Sequence, residues 1–308
     1  MKSWRCVACA APDHEPWITP RVARGVIDQA DSFVPSSQSF GATVGAVVRC
    51  TKCGHGSLLD APAEPASSGF ETVYEHAEDP TSLAEEAGQI ATATRDAAVL
   101  ERFIEPGRLL DVGCWTGSFL VAAGERGWKA EGVEPSRWAA DRAAERGCTV
   151  DHSTIEDIEL EPELYRAVVA CDVIEHLLDP GAAVERLTEA LVPGGVLFLT
   201  LPDAGSTVAR ALGRRWWAVL PMHVQYFTRR SACTLIECSG LAVQSITTHP
   251  KVFSARYYAS QLAAFLPAGG RAVRAVAERP RLGERLVAPD LRDRMAVVAM
   301  KPDPSRRA

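Results

Sequence analysis

The sequence predicts an α/β fold: a doubly wound, mostly parallel sheet preceded by a small cysteine-bearing unit. Three observations carry this expectation. First, Arg108-Leu-Leu-Asp-Val-Gly-Cys-Trp-Thr-Gly-Ser118 passes from a short apolar run through a glycine turn into the Ala-rich segment Phe119–Ala123, the pattern of buried strand, turn and helix. Second, apolar runs then alternate with helix-length segments, two of which end Glu-Arg-Gly, at Gly127 and Gly147, as when glycine takes the left-handed position after a helix. Third, Val196–Leu201 is apolar enough to be buried on both faces. Alternation on this scale implies parallel strands joined by right-handed crossovers.

A chain of 308 residues with 47% hydrophobic content can bury one large core and a small appendage. Its net charge of −6 argues against a broad basic face for nucleic acid. No stretch has the apolar length of a membrane span, and Met-Lys-Ser-Trp-Arg-Cys at the start lacks a signal-peptide core. Four of the nine cysteines fall in two C-x-x-C pairs, so a reduced, cytoplasmic protein with a metal site is expected rather than a disulfide framework.

In chain order, residues 1–60 form a first, zinc-ribbon-like unit. Cys6-Val-Ala-Cys9 and Cys50-Thr-Lys-Cys53 each present two thiolates across a tight turn, and Gly54 lets the backbone fold back toward the sulfurs. Four thiolates suit a closed, structural Zn²⁺ site. Between the pairs, Thr43–Arg49 reads as strand, while His14 and His55 are expected at the surface. The Pro/Ala/Ser-rich residues 61–69 read as a linker. Residues 70–105 carry helical signals, and Pro106-Gly107 stops them before the central strand; Tyr74 and His76, in this region, are expected to be packing or surface residues.

The turn after that strand aims backbone N–H groups, with the positive end of the helix dipole, at a ligand anion. Only Gly113 and Gly117 are offered, not the G-x-G-x-x-G of dinucleotide sites, and no lysine makes a Walker loop. Gly132-Val-Glu134-Pro-Ser136 ends a second strand, with an acid about 20 residues past the first glycine, a distance suited to ribose hydroxyls.

LLDVGCWTG followed by EGVEPS resembles motifs I and II of class I S-adenosylmethionine-dependent methyltransferases, with Trp115 at the family's third glycine position. The resemblance spans about residues 70–302 and implies a Rossmann-like sheet whose last strand, Met295–Met300, runs antiparallel. It implies that Asp111, Gly113, Cys114, Gly117, Glu134 and Pro135 hold S-adenosylmethionine, that Ile155 meets the adenine with Glu156 beside it, and that Asp172 faces the cofactor. The strand containing Asp172, Glu175 and His176 resembles the family's motif IV region; a helical turn would set Asp172 and His176 on one side. His176 either removes a proton from the acceptor or orients the loop. His223, in a His-x-x-x-Phe element found in related small-molecule enzymes, is the second base candidate. Residues 202–228, with Trp216, Trp217, Met222, Tyr226 and Phe227, are either a substrate wall or ordinary core.

The Pro193-Gly-Gly turn before the fifth strand is a further likeness; Thr228 is expected to cap a helix to Ser239, with a strand at Leu241–Thr247 beyond it. Residues 254–289 read as helices inserted before the last strand, with Arg271, Arg274, Arg279, Arg281 and Arg285 on a solvated face. The function expected is methyl transfer from S-adenosylmethionine to a small-molecule acceptor, at a hydroxyl oxygen of a sugar or secondary metabolite. C- or N-methylation stays open. An RNA methyltransferase and a non-catalytic cofactor-binding module are the alternatives, the first opposed by the acidic balance.

Overall fold

The computed structural model describes residues 4–19, 36–60, 74–76, 78–265, 273, 275 and 277–306. The expected linker 61–69, and Arg271 and Arg274, lie outside them.

The N-terminal segment builds a small antiparallel sheet from β1 (His14–Ile18), β2 (Val47–Cys50) and β3 (Gly56–Leu58). The strand expected over 43–49 begins only at Val47. Gly54, at φ +77°, makes the knuckle between β2 and β3, its N–H donating to the Cys50 carbonyl at 2.9 Å. Two helices follow. In α1 (Pro80–Leu83) Asp79 caps the N-terminus, its carboxylate accepting from the Ser82 N–H. In α2 (Glu86–Leu100) the face bearing Ala93, Asp96, Ala97 and Leu100 is buried.

The main sheet is laid down by β4 (Arg108–Val112), α3 (Ser118–Glu125), β5 (Lys129–Val133), α4 (Arg137–Glu145), β6 (Thr149–Asp151), β7 (Tyr165–Cys171), α5 (Pro180–Ala190) and β8 (Leu191–Pro202). Then come α6 (Thr207–Leu212), β9 (Gln225–Tyr226), α7 (Arg229–Cys238), β10 (Ala242–Thr248), β11 (Phe253–Ser254), α8 (Ala255–Phe265), α9 (Pro280–Gly283), β12 (Leu286–Val287) and β13 (Arg294–Met300). The sheet order is β10-β13-β8-β7-β4-β5-β6. Strands β4 to β8 pair in parallel, and β13 runs antiparallel to both neighbours, as expected of the last strand. From β4 the chain winds outward through β5 and β6, then returns to β4's other side with β7. That reversal puts a crevice at the carboxyl ends of β4 and β7, where ligands of open α/β sheets bind.

Side-chain alternation along β4 splits the core into two layers. Leu110 and Val112 face a cluster with Val168, Leu199 and Ile236. Leu109 faces the other, with Ala97 and Leu100 of α2, Ala123 of α3 and Phe198. Cys6, Cys50 and Cys53 belong to the first cluster, so the cysteine unit packs on the main body. Its sheet also takes a fourth strand from that body: β9 pairs with β3, Gly56 opposite Tyr226 and Ser57 opposite Gln225. His55 is consequently no surface residue; it is fully buried, with Nε2 at 3.0 Å from Gln225 Oε1. His14 is exposed.

Two further expectations need correction. The Pro193-Gly-Gly segment does not precede the fifth strand but lies inside β8, where Gly194 at φ +77° marks a shift in pairing with β7. Residues 254–289 are not wholly helical: β11 and β12 pair as a two-stranded ribbon at either end of the segment, because the chain leaving α8 returns to its start.

Candidate functional site

The site is organised by the turn after β4. Gly113 adopts φ +67°, and a Cβ there would lie 2.7 Å from Val173 Cγ2, so only glycine lets the two strand ends approach. Gly117, at φ +78°, stands at the N-terminus of α3 against Ala143 and Cys148. Between them Trp115 holds φ +48°, a left-handed conformation that costs a non-glycine residue about 1–2 kcal/mol. Several contacts hold it there. The Trp115 N–H donates to Glu134 Oε2 at 2.8 Å, Nε1 donates to Ser82 Oγ at 3.0 Å, and the indole packs near Tyr74 and Trp138.

Glu134 is fully buried, and its other oxygen accepts from the Ser136 N–H at 2.8 Å. Burial pushes its carboxyl up to about 7, with the two N–H donors acting in the opposite sense. Asp111, at the end of β4, is buried too; desolvation, then the charge of Glu134, pushes its carboxyl well above the usual range. Burial likewise pushes the Cys114 thiol up.

A cavity of about 520 Å³ opens beside this turn, at the carboxyl ends of β4, β7 and β8. It gathers Asp111, Gly113, Cys114, Asp172, His176 and His223 from the sequence-predicted set. Gly117, Glu134, Pro135 and Ile155 are not in its wall. Glu134 lies beneath the Trp115 backbone, Ile155 is buried, and Glu156 is exposed.

The end of β7 is not a helical turn. Asp172 takes φ +58°, and its carboxylate pairs with Lys251 and Arg294, which also line the cavity. His176 follows in a turn, its N–H donating to the Val173 carbonyl at 2.9 Å. Its Nδ1 donates to the Met222 carbonyl at 3.0 Å, while His223 Nδ1 donates to the Ala218 carbonyl at 2.7 Å. Each imidazole is therefore fixed with its lone pair on Nε2. The rings lie 4.8 Å apart and nearly perpendicular. Desolvation, opposed by those carbonyls, lowers His176 to about 4 and His223 to about 3.

Glu175, between Asp172 and the histidines, is 2% exposed. Its backbone carbonyl accepts from the N–H groups of Val224 and Gln225 at 3.0 and 2.9 Å, fastening the β7 end to the segment carrying His223. Neither carboxylate oxygen has a hydrogen-bond partner among the described residues, and burial pushes the group up to about 7.

The remaining wall comes from residues that the sequence left unassigned or open between wall and core. Asp96 of α2 holds His249 Nε2 at 2.8 Å, both buried. Tyr257, Tyr258, Phe253 and Trp217 supply aromatic surface. Trp217 and Met222 thus belong to the cavity, whereas Trp216 and Phe227 are core. Tyr74 lines the cavity as well, and His76 is exposed.

At the two knuckles of the small sheet, Cys6 Sγ lies 3.5 Å from Cys53 Sγ and Cys9 Sγ 3.6 Å from Cys50 Sγ, all four within 4.8 Å of one another. A tetrahedron with Zn–S of about 2.3 Å has edges of about 3.8 Å. The four sulfurs fit that ion.

A sequence family described as "Methyltransferase domain" matches residues 83–246. A ubiquinone biosynthesis O-methyltransferase of Methylobacterium sp. (strain 4-46) is 33% identical over 152 residues, covering 45% of this chain and 61% of the relative. The protein of that name from Haemophilus ducreyi is 32% identical over 116 residues, 34% of this chain and 47% of its own length. The chain thus spans about half the length of the curated relatives it matches. The crystal structure of the YcgJ protein from Bacillus subtilis aligns with 69% of this chain and 99% of its own, with a TM-score of 0.50 and 14% identity, a likeness of fold.

Proposed function

The chain belongs to the methyltransferase-domain family, and from that premise we propose that it transfers a methyl group from S-adenosylmethionine to a hydroxyl oxygen of a small molecule such as a sugar or secondary metabolite. The observation that carries this reading is the 520 Å³ cavity. On one side it meets a glycine turn with no room for a Cβ at Gly113; on the other it meets two imidazoles with fixed tautomers.

The residues present fit the cofactor. The Gly113 cradle leaves backbone exposed to a ligand, and the buried acid Asp111 suits its positively charged groups. Glu134 keeps lone pairs beyond the two spent on Trp115 and Ser136, available to ribose hydroxyls once Trp115 shifts aside. Gly117 shapes the turn and Asp172 pairs with Lys251 and Arg294, while Cys114, Pro135 and Ile155 keep the cofactor-contact roles that the sequence resemblance implies, Ile155 toward the adenine. When bound, S-adenosylmethionine supplies a methyl group on a sulfonium, which an oxygen in line with the carbon–sulfur bond accepts.

The chain's own task is alignment, which supplies several kcal/mol of barrier lowering. His176 and His223, neutral above about pH 5, direct Nε2 lone pairs at the acceptor's hydroxyl and hold its oxygen toward the methyl carbon, and one of them takes the hydroxyl proton as the carbon–oxygen bond forms and the carbon–sulfur bond breaks. The relatives named for O-methylation support oxygen as the acceptor atom. We further infer that Cys6, Cys9, Cys50 and Cys53 bind structural Zn²⁺, that residues 1–60 serve as its domain and 70–302 as the transferase domain, and that the protein works in the cytoplasm. Among the described residues no helix is long and apolar enough to cross a membrane. Incubation with methyl-labelled cofactor and a metabolite extract tests the reading. Label in a small-molecule ether is expected; label only in RNA, or none despite cofactor binding, overturns it.

A further inference from the structure

We propose that Glu175, His176 and His223 form a binding site for a divalent first-row transition-metal cation, distinct from the four-cysteine cluster. The three donors come from two segments: Glu175 and His176 from the end of β7, and His223 from just before β9. Their ligand atoms lie within 4.8 Å of one another. For three atoms with that spacing there is always a point no more than about 2.8 Å from any of them, so a contraction of under about 1 Å reaches normal coordination distances near 2.1 Å.

Three independent features point to a cation. The first is the Glu175 carboxylate: buried, without a partner for either oxygen, and so lacking the compensation that buried charges require. The second is the state of both imidazoles. Each donates Nδ1–H to a backbone carbonyl, Met222 or Ala218, the arrangement that fixes a metal-binding histidine and leaves Nε2 to coordinate. The third is chemical type. Two imidazole nitrogens and one carboxylate oxygen on one side of an open cavity match the two-histidine, one-carboxylate sets that hold Fe²⁺, Zn²⁺, Mn²⁺ or Co²⁺ with positions left for a ligand. Magnesium and calcium, which favour all-oxygen surroundings, fit less well.

The cation would neutralise Glu175, occupy the Nε2 lone pairs of both rings, and hold the acceptor's hydroxyl at its own open positions in their place. It thereby selects acceptors with an oxygen donor beside the methylated hydroxyl. That consequence rests on the methyltransferase reading; the site itself does not.

The test is titration of Co²⁺ into zinc-loaded full-length protein, followed by calorimetry and visible absorption. One equivalent is expected, with weak visible bands of nitrogen and oxygen ligation and without the near-ultraviolet sulfur charge-transfer band that exchange into the cysteine site would produce. His223→Ala and Glu175→Gln, each checked for native circular dichroism, should each weaken binding at least about tenfold. If one variant fails to fold, the other reports alone. No Co²⁺ beyond the cysteine site, or equal affinity in wild type and the folded variants, overturns the proposal. Parallel titration with S-adenosylmethionine separates the two readings: cobalt binding without cofactor binding would sink the methyltransferase reading and leave the metal site standing.

Discussion

The Trp115 N–H lies 2.8 Å from the carboxylate of Glu134, so the side chain that would receive the ribose also braces the turn the cofactor rests against. Its elevated proton affinity sets a sign. In the unfolded chain Glu134 ionises near its ordinary value of 4.5, in the folded chain near 7. Between these values the unfolded state has released a proton the native state retains, so this group's contribution to stability falls as pH rises. Glu134→Gln removes the dependence. Denaturant melts of cofactor-free protein should show the variant gaining on wild type between pH 5 and pH 8, by up to about 3 kcal/mol. A stability difference that stays flat, or runs the other way, refutes the assignment.

Glu134→Ala removes charge-assisted hydrogen bonds of about 1.5–3 kcal/mol each. S-adenosylmethionine affinity should fall at least about tenfold with the fold intact. Unchanged affinity in calorimetry would move the ribose contact elsewhere.

Trp115→Gly tests access to Glu134. It relieves about 1–2 kcal/mol of left-handed strain and removes the indole bound to Ser82. Cofactor binding should tighten, even if the loss of packing lowers the melting temperature. Weaker binding would make Trp115 part of the binding surface instead of its cover.

Replacing His176 or His223 with Ala should slow turnover by about 10²–10⁴ while leaving S-adenosylmethionine affinity nearly unchanged. With the rings at about 4 and 3, their protonation should cut turnover only below about pH 5. A limb near pH 6.5 that disappears in either variant would show an ordinary, solvated imidazole.

Zinc on four thiolates contributes about 10–16 kcal/mol of folding free energy in small isolated domains. Here the cysteine sheet is continuous with β9, which begins two residues after His223 at Gln225. Cys50→Ser should therefore lower thermal stability and also slow methyl transfer, because the strand that ends near His223 loses its partner. Cofactor binding, centred on β4, should survive. Metal analysis finding under about half an equivalent of zinc in wild type would count against the site.

The sheet was legible because its strands announce themselves locally: Leu109–Val112 and Val196–Leu201 are apolar runs, and Gly127 and Gly147 mark helix ends. The glycine turn was readable for the same reason. What stayed hidden depends on chain crossings. Nothing near Asp172 signals that Lys251 and Arg294 will meet it, 79 and 122 positions later. The Asp96–His249 pair spans 153 positions. Glu175 stood in view as half of a Glu-His pair, but only its burial without a partner distinguishes it from an ordinary turn acid. Trp115 stands at a family glycine position, and its hold on Ser82 requires α1 folded beside it.

The seam between β3 and β9 also has a history in time. His55 and Gln225 are separated by 170 positions. At about 5–20 residues per second, a ribosome adds the second roughly 10–30 s after the first. Throughout that interval the nascent cysteine sheet has a bare edge and an unsheltered imidazole, a template for stray strands. Metal captured early would hold the knuckles closed while the edge waits, so zinc-starved cells should accumulate aggregated newly made chains before any loss of mature protein.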